Sequence, residues 1–253
     1  MRSLFAALGF LTILPVPASS MKDLRASLAF FPVVGLLLGL VLWGLDVALD
    51  NVLTPHLTSA LLLVSLLVMT RGLHLEGFMD TCDGILGGGT KQRRLEIMKD
   101  SHVGVFALMG GISLVLLKWT ALLSLPSSGR SWSLILFPAL SRWSMMLALV
   151  AFPYARSQGL GNAFQGDQRT LSAFASGLIA IVAALLLAGF GGLVLFGLAT
   201  LLAWLLGKGL ALLLGGLTGD TYGAINEVTE TVILITAVGL SPLGLIEPLP
   251  QLV

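Results

Sequence analysis

Charged side chains and cysteine are scarce in this chain of 253 residues. Charged residues make up 11% of the sequence, whereas an average soluble domain contains about 25%. Hydrophobic residues make up 56%, and a soluble fold of this size could not bury so many and still present a polar surface. The composition therefore predicts an integral membrane protein, with the lipid bilayer as its surroundings.

The shortage of cysteine and of basic tracts excludes further classes. Cys82 is the single cysteine, so the chain cannot form an internal disulfide. A lone thiol is also a weak metal signal, and we interpret Cys82 as a small residue on a helix face. The net charge is +1 and no basic tract lies outside one central loop, so nothing in the sequence points to a nucleic-acid partner.

Several apolar runs along the chain have close to the ~20 residues that a helix needs to cross a bilayer. They predict an all-α polytopic membrane bundle of about seven transmembrane helices, folded as one domain over residues 1–253. A short N-terminal helix precedes them, because Pro15 and Pro17 end the first apolar run. The predicted spans are Ala26 to Leu49, Leu57 to Thr70, Val105 to Leu125, Trp132 to Phe152, Leu171 to Ala188, Leu193 to Leu214 and Glu227 to Leu245.

The basic residues of the connections predict an orientation. If successive spans alternate in direction, nearly every loop Lys and Arg falls on one side, together with all the long polar loops. The other side holds only Arg130, with Lys118 close by near a span end, where its side chain can reach the interface. The positive-inside rule places the first side in the cytoplasm.

The few charges concentrate between His74 and Gly104. Glu76, Asp80 and Asp83 are spaced i, i+4 and i+7, which puts them on one helix face. Like charges at this spacing repel each other, and a hard divalent cation such as Mg²⁺ or Mn²⁺ would remove the repulsion. The alternative is a solvated helix end with its carboxylates in water.

A glycine run and a basic segment follow this acidic face. Gly84 to Gly89 would let backbone N–H groups approach a phosphate, although the Gly-Lys-Ser/Thr ending of a P-loop is missing and a flexible loop is the alternative. The basic side chains beyond it could neutralise phosphate or only hold the topology. They are Lys91, Arg93, Arg94 and Lys99. Asp100, beside Lys99, could ligate a metal or accept a proton.

A second polar loop and one charge in a span complete the candidate residues. The loop from Gly215 to Asn226 leads into Glu227 and Glu230, which share a helix face and could contribute to a site or only favour the helix dipole. Arg142 lies in the middle of a predicted span, where a charge is costly and usually functional, the alternative being a structural ion pair. His74 and His102 are interpreted as polar contacts rather than metal ligands.

The order and spacing of these motifs resemble the cobalamin synthase family, the adenosylcobinamide-GDP ribazoletransferases of prokaryotes. The matching stretches are HLEGFMDTCDG from His74, RRLEIMKDSHVG from Arg93, LTGDTYGAINEVTE from Leu217, FLTILPVP from Phe10 and PYAR at 153–156. Glu76 stands where Asp is the commoner residue, which keeps the carboxylate on a longer arm. The segment Asp80 to Gly84 also resembles part of the CDP-alcohol phosphotransferase signature, whose remaining residues have no one-for-one match here.

The resemblance implies a reaction, a cofactor and a location. The adenosylcobinamide-phosphate moiety of adenosylcobinamide-GDP would pass to α-ribazole or α-ribazole 5′-phosphate, giving adenosylcobalamin or its 5′-phosphate and GMP. Mg²⁺ would be required, with Mn²⁺ as a substitute. The protein would lie in the prokaryotic cytoplasmic membrane with its active-site loops facing the cytoplasm. The oligomeric state stays open, and neither a homo-oligomer nor contact with other cobalamin-assembly enzymes is excluded.

With this resemblance, the candidate residues acquire expected roles. The expected metal ligands are Glu76, Asp80, Asp83 and Asp220. The expected substrate-binding residues are Arg94, Lys99, Ser101, Arg142, Asn226 and Glu230. Asp100 is the expected acceptor of the α-ribazole hydroxyl proton, and Glu227 the second expected catalytic residue. Asp83→Asn should then abolish GMP release.

Two other functions fit part of the pattern. A lipid-making CDP-alcohol phosphotransferase would share the metal chemistry but use a different donor. A secondary transporter would explain charge within spans and glycine-broken helices, although the acids gather at one membrane face and no repeat of the central motif is present. A purely structural membrane scaffold would leave the paired carboxylates without a role.

Overall fold

The computed structural model describes residues 1–17, 20–156, 164 and 169–241, and this part of the chain is helical with one isolated β-bridge. The all-α prediction is confirmed, whereas the end of the predicted last span, up to Leu245, lies outside the described residues. A 3₁₀ turn (Ser27–Phe30) joins the second and third of the helices. These are α1 (Arg2–Leu11), α2 (Met21–Ala26), α3 (Phe31–Leu49), α4 (Pro55–Met69), α5 (Leu73–Gly87), α6 (Lys91–Ile97), α7 (Val105–Ser124), α8 (Ser127–Ala151), α9 (Arg169–Leu214) and α10 (Gly219–Leu240).

Five helical segments within the described residues are long and apolar enough to cross a membrane. They contain α3, α7, α8, α9 and α10. Helix α9 has 46 residues, more than twice the ~20 that a span needs. Its backbone breaks at Ala188 and Gly189, where Gly189 has a φ of 53°. The break agrees with the predicted turn between the fifth and sixth spans, and a Cβ on Gly192 would meet the Ala184 carbonyl oxygen at 1.9 Å, so the two halves touch at the turn.

Helices α4 and α5 form a sharp corner. Each has 15 residues, and they pass as a span only when taken together, with a bend of 89° between them. The bend lies at Arg71 and Gly72, which have φ values of 56° and 66°. The Arg71 side chain donates a hydrogen bond to the Gly9 carbonyl oxygen at 3.2 Å and so ties the corner to α1. The corner turns the acidic face of α5 across the bundle.

Two predicted boundaries were wrong. The last helix begins at Gly219, not at Glu227, because Thr218 and Thr221 form a capping box with each other's backbone N–H groups. Glu227 therefore lies more than two turns inside α10, too deep for a dipole-capping role. Helix α8 likewise begins at Ser127, not at Trp132, where the fourth span was predicted to start.

Helix α8 is the centre of the bundle and packs against α3, α9 and α10. Glycines allow α3 to approach it closely. A Cβ on Gly35 would lie 2.3 Å from the Pro138 carbonyl oxygen, and one on Gly39 would lie 2.5 Å from that of Ile135. Small residues at such contacts are typical of membrane helix pairs. Arg142, also on α8, is fully buried inside the protein.

Candidate active site between α5, α8 and α10

Helix α5 meets the start of α10 through two glycines. A Cβ on Gly77 would lie 2.8 Å from the carbonyl oxygen of Asp220, and a Cβ on Gly223 would lie 2.9 Å from that of His74. Since neither residue has a side chain, the two backbones touch. This contact brings the acidic face of α5 beside the acidic first turn of α10.

A cavity of about 210 Å³ opens at this contact. Its carboxylate lining consists of Glu76 and Asp80 from α5 and Asp220 from α10. Asp80 is half-buried, and its strongest charged neighbours are Asp220, Glu76 and Asp83, all of the same sign. Three of the four residues predicted as metal ligands therefore line one cavity, whereas Asp83 is not among its lining residues.

These carboxylates are too far apart to form a complete metal site. Among residues 1–17, 20–156, 164 and 169–241, no group of three or more His, Cys, Asp or Glu side chains is close enough to hold a metal ion. The donors lining the cavity are nevertheless all oxygens, the ligands that Mg²⁺ and Mn²⁺ prefer. The chemistry of the donor set fits a hard divalent cation, but a cation bound by three of these carboxylates would need them to lie closer together than they do here.

Asp220 is paired with a residue that the sequence left without a role. Arg156 Nη2 donates a hydrogen bond to Asp220 Oδ2 at 2.8 Å. A short backbone bridge holds the two segments together, with Ala155 N donating to the Leu217 carbonyl oxygen at 2.7 Å. The motif PYAR contained Arg156, but only the fold shows that its guanidinium meets Asp220.

Asp83 anchors the start of α7. Its Oδ2 accepts a hydrogen bond from Gly104 N at 2.6 Å, and its Oδ1 accepts one from Ala107 N at 2.7 Å. Gly104 is the N-cap of α7 and Ala107 lies in its first turn, where N–H groups lack partners within the helix. Asp83 is 8% exposed and is not among the residues described as lining the cavity. Its two oxygens are thus oriented by backbone N–H groups, as the oxygens of ligating carboxylates often are.

A buried ion network lies between α7, α8 and α10. Lys118 Nζ donates hydrogen bonds to Glu227 Oε2 at 2.6 Å and to Glu230 Oε2. Arg142 Nη1 donates to Glu230 Oε1. All four side chains are at most 6% exposed, so two cations and two carboxylates balance each other out of contact with water. The expectation that Lys118 reaches the membrane interface was wrong, because α7 packs its lysine against the two glutamates of α10.

His74 links this network to the cavity. Its Nδ1 lies 3.4 Å from Arg142 Nη2. A guanidinium can only donate, so Nδ1 accepts and the proton sits on Nε2. The ring lines the cavity, yet Nε2 has no hydrogen-bond partner among the described residues. His74 therefore offers a buried N–H donor at the cavity wall.

The residues predicted to bind substrate fall into two groups, neither of which lines the cavity among the residues that the structure describes. The first is the buried network, in which Asn226 Nδ2 donates to Glu230 Oε1 at 3.2 Å beside Arg142 and the predicted catalytic Glu227. The second is the segment around α6. There Arg94 Nε donates to the Gly88 carbonyl oxygen at 2.9 Å, and Nη1 donates to that of Leu213 at 3.4 Å.

The predicted base lies in the same exposed segment. Lys99, Asp100 and Ser101 are all exposed. Asp100 Oδ1 lies 2.6 Å from His102 Nδ1. This hydrogen bond lowers the pKa of Asp100 below its ordinary value and raises the pKa of His102. A lowered pKa makes Asp100 a weaker base, so its predicted role needs a substrate that disrupts the pair.

Comparisons with known proteins point to one family along nearly the whole chain. Residues 3–238 match the family model of cobalamin-5-phosphate synthase. A protein of Desulfitobacterium hafniense is 40% identical over 245 residues, which is 94% of this chain and 96% of that protein. Proteins of Desulforamulus reducens, at 39% over 92% and 94% of the two chains, and of Roseiflexus sp., at 37% over 95% and 90%, are also similar. All three are named adenosylcobinamide-GDP ribazoletransferase. No solved structure matches.

Proposed function

We propose that this chain, which belongs to the cobalamin-5-phosphate synthase family, is an adenosylcobinamide-GDP ribazoletransferase embedded in a membrane. The observation that carries the proposal is the match over residues 3–238, which includes both carboxylate-bearing segments of the cavity. The substrates are adenosylcobinamide-GDP and α-ribazole, or α-ribazole 5′-phosphate. The site therefore joins these two substrates in a late step of cobalamin synthesis.

The reaction is a phosphoryl transfer across a pyrophosphate. A ribose hydroxyl of the acceptor attacks the phosphorus that carries the cobinamide, and the bond from this phosphorus to the GMP leaving group breaks. The hydroxyl proton passes to a base. Asp100 and Glu227 are the candidates predicted from the sequence, and neither is among the residues that line the cavity. Catalysis of such a transfer consists mostly of positioning and of stabilising charge on the phosphoryl oxygens.

Mg²⁺ dependence is part of the proposal. Glu76, Asp80 and Asp220 would hold the cation, because these carboxylates line the cavity. Bound there, the ion would neutralise charge on the transferred phosphoryl group, and Mn²⁺ would substitute for it. Asp83 keeps the α5 end of this set fixed to α7 through its two backbone hydrogen bonds. Arg156 pairs with Asp220 and balances its charge.

The location is a further part of the proposal. We propose that the protein lies in the cytoplasmic membrane with the segment from Arg71 to Gly104 facing the cytoplasm, because this segment carries a large share of the loop Lys and Arg. A nucleotide-linked donor made in water could then reach the site directly.

Product analysis tests the function. The purified protein in proteoliposomes should convert adenosylcobinamide-GDP and α-ribazole into equal amounts of adenosylcobalamin and GMP when Mg²⁺ is present. A CDP-alcohol phosphotransferase would instead release CMP from a CDP-activated donor. A transporter would move substrate across the bilayer without GMP formation. Either of these results, without cobalamin synthesis, would reject the proposal.

Gly77→Ala should reduce turnover about 10²-fold, since displacements near 1 Å within a site can cost that much. The added Cβ would meet the backbone of Asp220 at 2.8 Å and push α5 away from α10. Gly209→Ala, on α9, is the control, because a Cβ there meets nothing within 4 Å and Gly209 does not line the cavity. The initial rate of GMP release measures both variants, and equal rates would show that the close contact of α5 with α10 is not needed.

Asp83→Asn should reduce both stability and GMP release. An amide can accept only one of the two backbone hydrogen bonds, and the buried N–H that loses its partner costs about 1–3 kcal/mol of folding free energy. Asp50→Asn, at the exposed end of α3, serves as the control. Thermal unfolding in detergent measures the change. An unfolding midpoint equal to that of the control would contradict the anchoring role of Asp83.

A further inference from the structure

The cavity has an aromatic end that the phosphoryl transfer leaves without a role. Phe10, Phe31 and Phe164 line it, in addition to the carboxylates. The Phe10 ring stacks on Phe31 with centroids 6.0 Å apart and meets Phe164 edge-on at 5.1 Å. Phe31 and Phe164 are fully buried, whereas Phe10 is only partly buried. Two buried rings therefore hold a third ring at the cavity wall.

The size of the cavity selects the smaller substrate. Its volume of about 210 Å³ is below the ~300–1,000 Å³ of sites that enclose drug-sized ligands. A corrin macrocycle is far too large to enter. A planar two-ring base with part of its sugar fits. The adenine of the donor is bonded through its sugar to the corrin cobalt and cannot enter apart from the macrocycle, which leaves the base of the acceptor nucleoside or the guanine of the donor.

The chemistry of the wall selects between these two bases. Guanine carries a carbonyl oxygen and several N–H groups on its edges, and burying them against phenylalanine without partners is unfavourable. The benzimidazole of ribazole has an apolar outer edge and a flat π-face suited to stacking on an aromatic ring. Leu73, Met145 and Leu149 extend the apolar lining. The apolar wall is therefore better suited to the benzimidazole than to guanine.

The lining also provides for the polar atoms of a nucleoside. Carboxylates line one part of the cavity, where a ribose with its attacking hydroxyl can lie. The Nε2–H of His74 has no partner among the described residues, and a nucleoside offers acceptors for it in its ribose oxygens and its free ring nitrogen. One cavity therefore combines an aromatic end, a buried donor and an acidic wall.

We propose that the aromatic end of this cavity binds the base of the acceptor nucleoside, stacked on Phe10, with its ribose directed to the carboxylates. Phe31 and Phe164 are positioning residues that fix the Phe10 ring. The inference rests on the proposed function and adds to it the place of the acceptor. It also assigns base selectivity to α1, a helix outside the two acidic motifs.

Equilibrium dialysis of the purified full chain in detergent tests the inference, with α-ribazole and GDP as separate probes. Phe10→Leu keeps the apolar volume but removes the ring face, and should weaken α-ribazole binding about tenfold, the usual scale for one base stacked on one aromatic side chain. GDP binding should not change. Phe5→Leu, on the same helix but exposed and away from the cavity, should alter neither affinity.

Each other outcome is decisive. Unchanged α-ribazole affinity in Phe10→Leu overturns the inference, and a loss confined to GDP assigns the aromatic end to guanine instead. If both affinities fall, Phe10→Tyr, which restores a ring, decides: recovered α-ribazole binding supports the inference and continued loss overturns it. Failure of the proposed function would appear separately, as a wild-type protein that binds these probes but forms no adenosylcobalamin.

Discussion

Asp80→Asn is expected to reduce GMP release by about 10²–10³-fold, the cost of removing one fixed electrostatic group from a phosphoryl- or acyl-transfer site. Asp80 lines the cavity and has Asp220, Glu76 and Asp83 as its charged neighbours of like sign. Asparagine has nearly the same shape but no charge, so it weakens the attraction for a divalent cation without creating a void. The initial rate of GMP release in proteoliposomes measures the effect.

The unfolding midpoint distinguishes a loss of catalysis in Asp80→Asn from misfolding. Removing one of several like charges relieves repulsion, so the unfolding midpoint of Asp80→Asn without metal should equal or exceed that of the wild type. Asp50→Asn again provides a control for the loss of one exposed carboxylate. Turnover near that of the control would show that Asp80 has no part in the transfer. A sharply lowered midpoint would show a structural role instead.

Lys118→Met should lower the free energy of unfolding by about 3–5 kcal/mol, the usual cost of breaking a buried ion pair from one side. Lys118 donates to both Glu227 and Glu230, and its side chain is 2% exposed. Without it, two buried carboxylates would face Arg142 as their one remaining cation in the network. Methionine fills nearly the same space, so the loss arises from charge and not from packing.

Two further variants test whether the loss of stability comes from unbalanced buried charge. Lys208→Met removes an exposed lysine from α9 and should not lower stability by more than about 0.5 kcal/mol. The double variant Lys118→Met with Glu227→Gln removes one charge of each sign and should recover much of the lost stability. Unfolding in mixed micelles compares the three. Equal stability of Lys118→Met and Lys208→Met would contradict the buried network.

The sequence predicted the elements whose signals are local. Apolar runs located most of the spans, but α4, the predicted second span, is too short to count as a span without α5. The glycines after Ala188 located the break in α9 because only a positive φ allows so tight a turn there. The i, i+4, i+7 spacing of Glu76, Asp80 and Asp83 correctly placed these residues on one helix, since the 3.6-residue period is fixed by backbone geometry.

The sequence could not predict which distant residues meet. Lys118 looked like a residue able to reach the interface, because its two partners lie 109 and 112 positions away on α10. Arg142 was expected to bind substrate, and the sequence could not show that its buried side chain pairs with Glu230, 88 positions away on α10. Arg156 carried no signal of its own, since its pairing with Asp220 depends on the backbone bridge between two loops.

Manganese binding followed by electron paramagnetic resonance tests the central claim most directly, namely that the carboxylates of this cavity hold the cation that supports transfer. Wild-type protein should bind Mn²⁺ and release GMP with the same dependence on Mn²⁺ concentration. Asp80→Asn should lose both, while Lys208→Met retains both. Adenosylcobalamin synthesis by the wild type in excess chelator, or unchanged Mn²⁺ affinity in Asp80→Asn, would contradict the claim.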